Sequence, residues 1–206
     1  MTRAPLLTDW DARYAAPGFA YGTEPNRFLA DVVGRLPSGR ALSLGEGEGR
    51  NAAFLAEMGW RVVGVDRSRV GLRKARGLAR ERDLSVAVCV ADLAAFPLPA
   101  DRFDLILSIF CHLPRPVRRT VHQAVRRALR PGGAYVCEAY TPRQLAFRTG
   151  GPSVPELLVT LDDLRTELAG LEFVVGREVE RDVVEGNMHR GRSAVVQVLA
   201  VRSADA

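Results

Sequence analysis

The stretch Leu42-Ser43-Leu44-Gly45-Glu46-Gly47-Glu48-Gly49-Arg50-Asn51, followed by Val62-Val63-Gly64-Val65-Asp66, decides the fold of this chain. A short apolar run enters a turn with glycine at every second position, and an amphipathic segment leaves it. A second apolar run ends in a carboxylate about 20 residues beyond the first glycine, the layout of a nucleoside crevice at the carboxyl ends of parallel strands. Dinucleotide sites space their glycines G-x-G-x-x-G, so that helix amides meet a pyrophosphate. The spacing here is G-x-G-x-G, which suits a nucleoside without a pyrophosphate.

Outward from that core, apolar runs and amphipathic segments alternate. Strands are expected over 41–45, 61–66, 85–90, 103–110 and 134–140. Helices are expected over 51–58, 69–80 and about 117–129, the last stopped by Arg130-Pro131-Gly132-Gly133. Strands joined by helices of this length imply right-handed crossovers and a parallel sheet. Upstream, Thr23-Glu24-Pro25 reads as a helix start with a hydroxyl cap. Before it, Trp10, Tyr14, Phe19 and Tyr21 form an aromatic segment that packs on the body or closes over a ligand. Residues 144–154 read as a loop, and Thr160-Leu161-Asp162-Asp163 opens a short helix. Two extended runs, 173–183 and 193–201, then make a hairpin whose last strand runs antiparallel to its neighbour. The expected fold is α/β and Rossmann-like: a mostly parallel seven-stranded sheet, an antiparallel C-terminal hairpin and helices on both faces. One domain spans 1–206, with a lid at 1–37, a cofactor-binding core at 41–140 and a substrate side at 141–206.

The 47% hydrophobic and 26% charged residues suit an ordinary globular enzyme. A net charge of +5 is carried almost wholly by arginine, Lys74 being the one lysine, and no block of like charges forms a nucleic-acid tail. Cys89, Cys111 and Cys137 are isolated, which argues against a disulfide framework or a metal site. With neither a leader-like apolar start nor a membrane-length span, cytoplasmic residence is expected. The expected partner is a small molecule, not nucleic acid or membrane; oligomeric state is left open.

S-adenosylmethionine is the commonest ligand of the kind this loop suits. Glycine at 45, 47 and 49 lets backbone pass close to a ligand. Asp66 can accept hydrogen bonds from both ribose hydroxyls, or cap the following helix. Asp92, flanked by Ala91 and Leu93, can accept from an adenine amino group, or simply shape a turn.

These features resemble the class I S-adenosylmethionine-dependent methyltransferases over nearly the full length. The likeness rests on the 45–49 loop, Asp66, Ala91-Asp92-Leu93, the 104–108 strand and the Leu129-Arg130-Pro131-Gly132-Gly133 turn. Gly47-Glu48-Gly49-Arg50-Asn51, Phe54-Leu55-Ala56, Ile106-Leu107-Ser108 and His189-Arg190 further resemble the tellurite-resistance and thiopurine methyltransferase group. The resemblance implies cofactor contacts from Trp10, Tyr21, Gly45, Glu46, Gly47, Gly49, Asn51, Asp66, Arg67, Asp92, Leu93, Ser108 and Ile109. The superfamily's acidic residue two positions before the first glycine is replaced by Ser43, and Glu46, Glu48 or Asp9 are the candidates to compensate.

Methyl transfer is an in-line displacement, so the protein chiefly positions the nucleophile. A base is needed only for a protonated acceptor. The resemblance makes His189 that base or an orienting group, with Arg190 and Arg192 holding an oxyanion in their planar forks. His112 and Arg148, on loops after the fourth and fifth strands, complete the candidates, while His122 reads as structural. No metal is expected. The expected function is methyl transfer from S-adenosylmethionine to a chalcogen oxyanion, such as tellurite or selenite, or to a thiol. The alternatives are a cofactor-binding sensor without turnover and, less well matched to the glycine spacing, a nicotinamide oxidoreductase.

Overall fold

In the computed structural model, which describes residues 8–204, the five apolar runs form β1 (Arg40–Leu44), β2 (Arg61–Asp66), β3 (Ala87–Val90), β4 (Phe103–Ile109) and β5 (Leu129–Tyr140). Between and around them lie α1 (Trp10–Tyr14), α2 (Arg27–Val33), α3 (Arg50–Glu57), α4 (Arg69–Glu81), α5 (Arg115–Ala128) and α6 (Leu161–Glu167). The chain ends in β6 (Glu172–Glu185) and β7 (His189–Val201). The leader-less reading of the first residues concerns Met1–Leu7, outside the described residues.

The sheet order is β3-β2-β1-β4-β5-β7-β6, with the first five strands parallel and β7 antiparallel to both its neighbours. Strand order reverses between β1 and β4, and in an open α/β sheet a ligand crevice lies beyond the carboxyl ends at such a point. The expected parallel sheet with its terminal hairpin is therefore the observed one.

Two apolar layers hold helices to the faces. Successive side chains of β4 alternate, sending Ile106 into the layer shared with Val121 and Val125 of α5, and Leu105 and Leu107 into the layer shared with Leu29 of α2 and Leu55 of α3. These side chains are buried, each stabilising the fold by about 1.5–3 kcal/mol relative to exposure. Among the described residues, no helix is long and apolar enough to cross a membrane.

Three local expectations change. α2 is capped by Asn26, whose side chain accepts from Leu29 N, and not by Thr23. Residues 23–26 stay outside the helix, and the Asn26 amide also reaches long-range partners described below. β5 begins at Leu129, five residues early, because the Pro-Gly-Gly segment continues the strand with a register shift opposite Phe103 and Leu105. Finally, His189–Arg192 are not a loop: β6 and β7 pair as far as Glu185 opposite His189, leaving a three-residue tip. The Thr160 cap forms as read, as a reciprocal capping box with Asp163.

Candidate active site

The glycine loop leaves β1 with left-handed backbone at each glycine: φ is +65° at Gly45, +63° at Gly47 and +98° at Gly49. A β-carbon at Gly45 would lie 2.6 Å from Cys111 Sγ, one at Gly47 2.7 Å from Tyr14 Oη, and one at Gly49 2.5 Å from Ala75 Cα. The protein's own packing therefore demands these glycines, whatever a ligand adds. Asp66 anchors the loop: one carboxylate oxygen accepts from Gly47 N at 2.9 Å, the other from Ser68 N at 2.8 Å. Burial raises its pKa, while those amides act the other way. Each oxygen keeps a second lone pair for a ligand.

Ser43 is buried in β1, and the nearby buried carboxylate belongs to Glu46. Its Oε1 accepts from Ala52 N at 3.1 Å, and its Oε2 has no partner among the described residues. Burial pushes Glu46 up to about 7, against the stabilising Ser43 hydroxyl and Ala52 amide. An unpartnered buried oxygen is costly and invites a cationic partner.

The aromatic first segment folds over this loop. Asp9 caps α1 by accepting from Ala12 N. Asp11 fastens α1 to α4, accepting from Ser68 Oγ at 2.5 Å and Val70 N at 3.1 Å. Tyr14 is buried over Gly47 and Gly71, stacked on Trp10 and edge-on to Tyr21.

A cavity of about 420 Å³ opens between this segment, the glycine loop, the end of β4 and the β6–β7 tip. At one end His189 lies 4.5 Å from the Tyr21 ring, 4.8 Å from Phe110 and 5.3 Å from Tyr140, while His112 stacks on Tyr140 at 5.6 Å. Burial lowers His112 to about 4. Burial, reinforced by the charges of nearby basic groups, lowers His189 to about 2. Both imidazoles are consequently neutral near pH 7. Both ring nitrogens of His112, His189 Nδ1 and the Tyr140 hydroxyl are buried without partners among the described residues. Four such polar atoms are thus carried by three rings in mutual contact. Buried polar groups call for a partner, and a ligand in the adjoining cavity is one that would supply it.

The structure gathers only part of the expected set. Trp10, Tyr21, Gly45, Glu46, Gly47, Asn51, Ile109, His112 and His189 line the cavity. Arg190 and Arg192 do not. They alternate with His189 along β7, so they fall on its other, exposed side, where Arg192 pairs with Glu180 at 3.2 Å. Arg148 is also exposed, on left-handed backbone at φ +55°. All three arginines are exposed, Arg190 and Arg192, expected to hold an oxyanion, on the face of β7 opposite His189. Ser108 is buried beneath Cys111, and Gly49 packs on α4. Asp66, Arg67, Asp92 and Leu93 stand at the ends of β2 and β3, outside the cavity wall. Asp92 is exposed and accepts from Ala94 N at 2.9 Å, the turn alternative noted from sequence. His122 is structural as read, bonded to Glu167 and the Tyr135 hydroxyl. Among the described residues no metal-binding cluster occurs.

Sequence reading missed the polar network behind the site. Glu138, fully buried in β5, accepts from Asn26, Gln197 and two nitrogens of Arg181. Glu185 accepts from Asn26, Arg181 and Arg50. Asn51 Oδ1 accepts from Asn26 N at 2.9 Å. Two carboxylates and two guanidinium groups thereby balance, tying the start of α2 and the start of α3 to the hairpin that carries His189.

Residues 41–133 match the model of the methyltransferase domain family. The chain belongs to the class I S-adenosylmethionine-dependent methyltransferases. This methyltransferase is 31% identical over 149 residues to the 2-heptyl-1-hydroxyquinolin-4(1H)-one methyltransferase of Mycobacteroides abscessus, covering 69% of its own length and 66% of the relative's. It is 30% identical over 150 residues to a probable thiol methyltransferase 2 of Arabidopsis thaliana, covering 70% of itself and 61% of that protein. The chain thus spans about two thirds or less of these curated relatives. Two solved structures share the fold. One, from work on conversion of a disulfide bond into a thioacetal group during echinomycin biosynthesis, has a TM-score of 0.76 at 23% identity, covering 96% of this chain and 91% of that one. TehB from Haemophilus influenzae has a TM-score of 0.71 at 17% identity, covering 94% of this chain and 66% of that one. The family's cofactor is S-adenosylmethionine. The residues present fit it: Gly45, Gly47 and Glu46, with its unpartnered oxygen, line the cavity, and Asp66 at the end of β2 holds Gly47 N from just outside its wall.

Proposed function

We propose that this protein methylates a small, neutral, protic acceptor, a thiol or an acidic hydroxyl, using S-adenosylmethionine. The observation that carries this reading is the pair of neutral, buried, unpartnered imidazoles, His112 and His189, at one end of the cavity. When bound, the cofactor supplies an electrophilic sulfonium methyl. Asp66 would hold the ribose, and the unpartnered Glu46 carboxylate would meet the ammonium of the methionine tail. His189 Nε2, the ring nitrogen that packing does not seal off, would take the acceptor's proton, and His112 would fix its orientation. Tyr21 and Phe110, which line the cavity, would wall the acceptor from water, which strengthens each polar contact inside.

A neutral imidazole accepts a proton from a thiol but offers no charge to a tellurite or selenite ion. Arg50, the arginine deepest in the wall, is already paired with Glu185 at 2.5 Å. This favours the thiol over the chalcogen oxyanion among the acceptors expected from sequence. The names of the two relatives, one acting on an N-hydroxyl compound and one on thiols, support the same class. A panel of aromatic thiols, hydroxylated heterocycles, tellurite and selenite, followed by release of S-adenosylhomocysteine, tests it. Turnover with a thiol or hydroxyl that falls ~10²–10⁴-fold in His189→Ala is expected. Turnover restricted to oxyanions, and abolished by Arg190→Ala, would overturn it.

A further inference from the structure

Lys74, the single lysine of the chain, occupies an unusual position. It projects from α4 toward the segment between α1 and α2, where its ammonium donates to Ala16 O at 2.8 Å, Gly18 O at 2.6 Å and Glu48 Oε1 at 2.9 Å. The Phe19 ring lies 5.9 Å from the same nitrogen. Three acceptors converge on one atom, a geometry that suits a compact ammonium and not the planar fork of arginine. Elsewhere this chain uses arginine for every basic side chain.

The far end of the pair is equally placed. Glu48 stands between Gly47 and Gly49 in the loop that leaves β1, and it is buried. Its Oε2 accepts from Ala20 N at 2.7 Å and Tyr21 N at 3.4 Å. One carboxylate and one ammonium therefore bind residues 16–21 to the glycine loop from both sides. That segment in turn supports the cavity: Asn187 N donates to Ala20 O at 3.1 Å, and Gly186 packs directly on Tyr21 and Gly22. Tyr21 stands against His189.

We infer that Lys74 and Glu48 form a latch that seats the aromatic segment on the glycine loop, so that Lys74 is a positioning residue for cofactor retention. This rests on the proposed methyl transfer, since it takes S-adenosylmethionine as the occupant of that loop. Breaking the latch loosens residues 16–21, and Tyr21 with them, without removing any group of the cavity wall, while α1 keeps its own tie to α4 through Asp11. A bound cofactor, held beneath that segment, keeps the latch closed.

The lone ε-amine makes the test simple. An N-hydroxysuccinimide ester of acetate acylates an amine, forming an amide and releasing N-hydroxysuccinimide; peptide mass mapping separates Lys74 from the α-amine. Saturating S-adenosylhomocysteine is expected to slow acetylation of Lys74 at least tenfold while leaving the α-amine rate unchanged. Protein acetylated at Lys74, and the Lys74→Met variant, are expected to bind S-adenosylhomocysteine ten- to a hundredfold more weakly, mainly through faster release. Lys74→Arg should recover only part of that loss. An acetylation rate indifferent to ligand, or an affinity within twofold of wild type after acetylation, overturns the latch. If Lys74→Met does not fold, the acetylated wild type decides. A wild type that binds no S-adenosylhomocysteine at all would overturn the methyltransferase reading itself, a separate and recognisable failure.

Discussion

Replacing Glu138 with glutamine should do more damage than any single surface change. Glu138 is fully buried and accepts from Arg181 Nε at 2.8 Å, Arg181 Nη2 at 2.6 Å, Gln197 Nε2 at 2.7 Å and Asn26 Nδ2 at 2.5 Å. Burial alone would depress Arg181, but Glu138 and Glu185 outweigh it and hold its pKa above the ordinary value. The cluster balances two carboxylates against Arg50 and Arg181. Glu138→Gln leaves one uncompensated positive charge, and it turns an NH₂ group toward a neighbour that is itself a donor. Removing one partner of a buried ion pair costs roughly 3–5 kcal/mol. For a domain of this size each kcal/mol shifts Tm by about 2–4 °C, so a fall of roughly 6–20 °C is expected. Urea unfolding followed by circular dichroism gives the free energy, and calorimetry gives Tm. The double replacement Glu138→Leu with Arg181→Leu should cost less than the sum of its singles, because the orphaned charge disappears. A Glu138→Gln penalty under about 1 kcal/mol, or strictly additive singles, would refute the reasoning, since neutral hydrogen bonds alone account for that much.

Two further outcomes are expected. Acidification should destabilise the protein between about pH 6.5 and 5. His112 and His189 have folded pKa values of about 4 and 2, below the unfolded value near 6.5, so their contribution is complete above that value and shrinks as pH falls. Glu46, raised to about 7, works in the opposite direction, and His122, also lowered by burial, adds to the two cavity histidines; His189 on its own contributes a slope of about 1.4 kcal/mol per pH unit. Unfolding free energies of wild type and His189→Ala at pH 7, 6 and 5 check this, and the variant should lose that slope. Gly49→Ala should cost about 3 kcal/mol or more, because φ +98° is strained for alanine and the new methyl would meet the α4 backbone at Ala75. Its urea midpoint provides the measurement.

Much of the fold was legible because it depends on local pattern. Apolar runs of strand length, glycines at 45, 47 and 49, and a carboxylate closing the second run place the crevice without long-range information. The terminal hairpin followed from two extended runs and a short connection. What escaped depends on contacts between distant positions. Glu138, Arg181 and Glu185 look like ordinary surface charges in sequence, and their burial appears only when β5, β6 and β7 are side by side. The family resemblance put Arg190 beside His189 in the site, yet neighbours in a strand send their side chains to opposite faces. Had the 185–191 segment been read as strand, parity alone would have excluded it. The helix start at Thr23 was displaced by Asn26 for the same reason: its amide is held by Glu138 and Glu185, more than 100 residues away. The glycine loop was read as a close approach of backbone to a ligand, and the structure adds a second reason for its glycines, since Tyr14, Ala75 and Cys111 already forbid larger residues there.

Titration calorimetry of S-adenosylhomocysteine into wild type and Asp66→Ala tests the central claim most directly. Binding by the wild type, weakened at least tenfold in the variant while circular dichroism shows a retained fold, is the expected result. Equal affinity in the two proteins, or heat only with NAD, would contradict it.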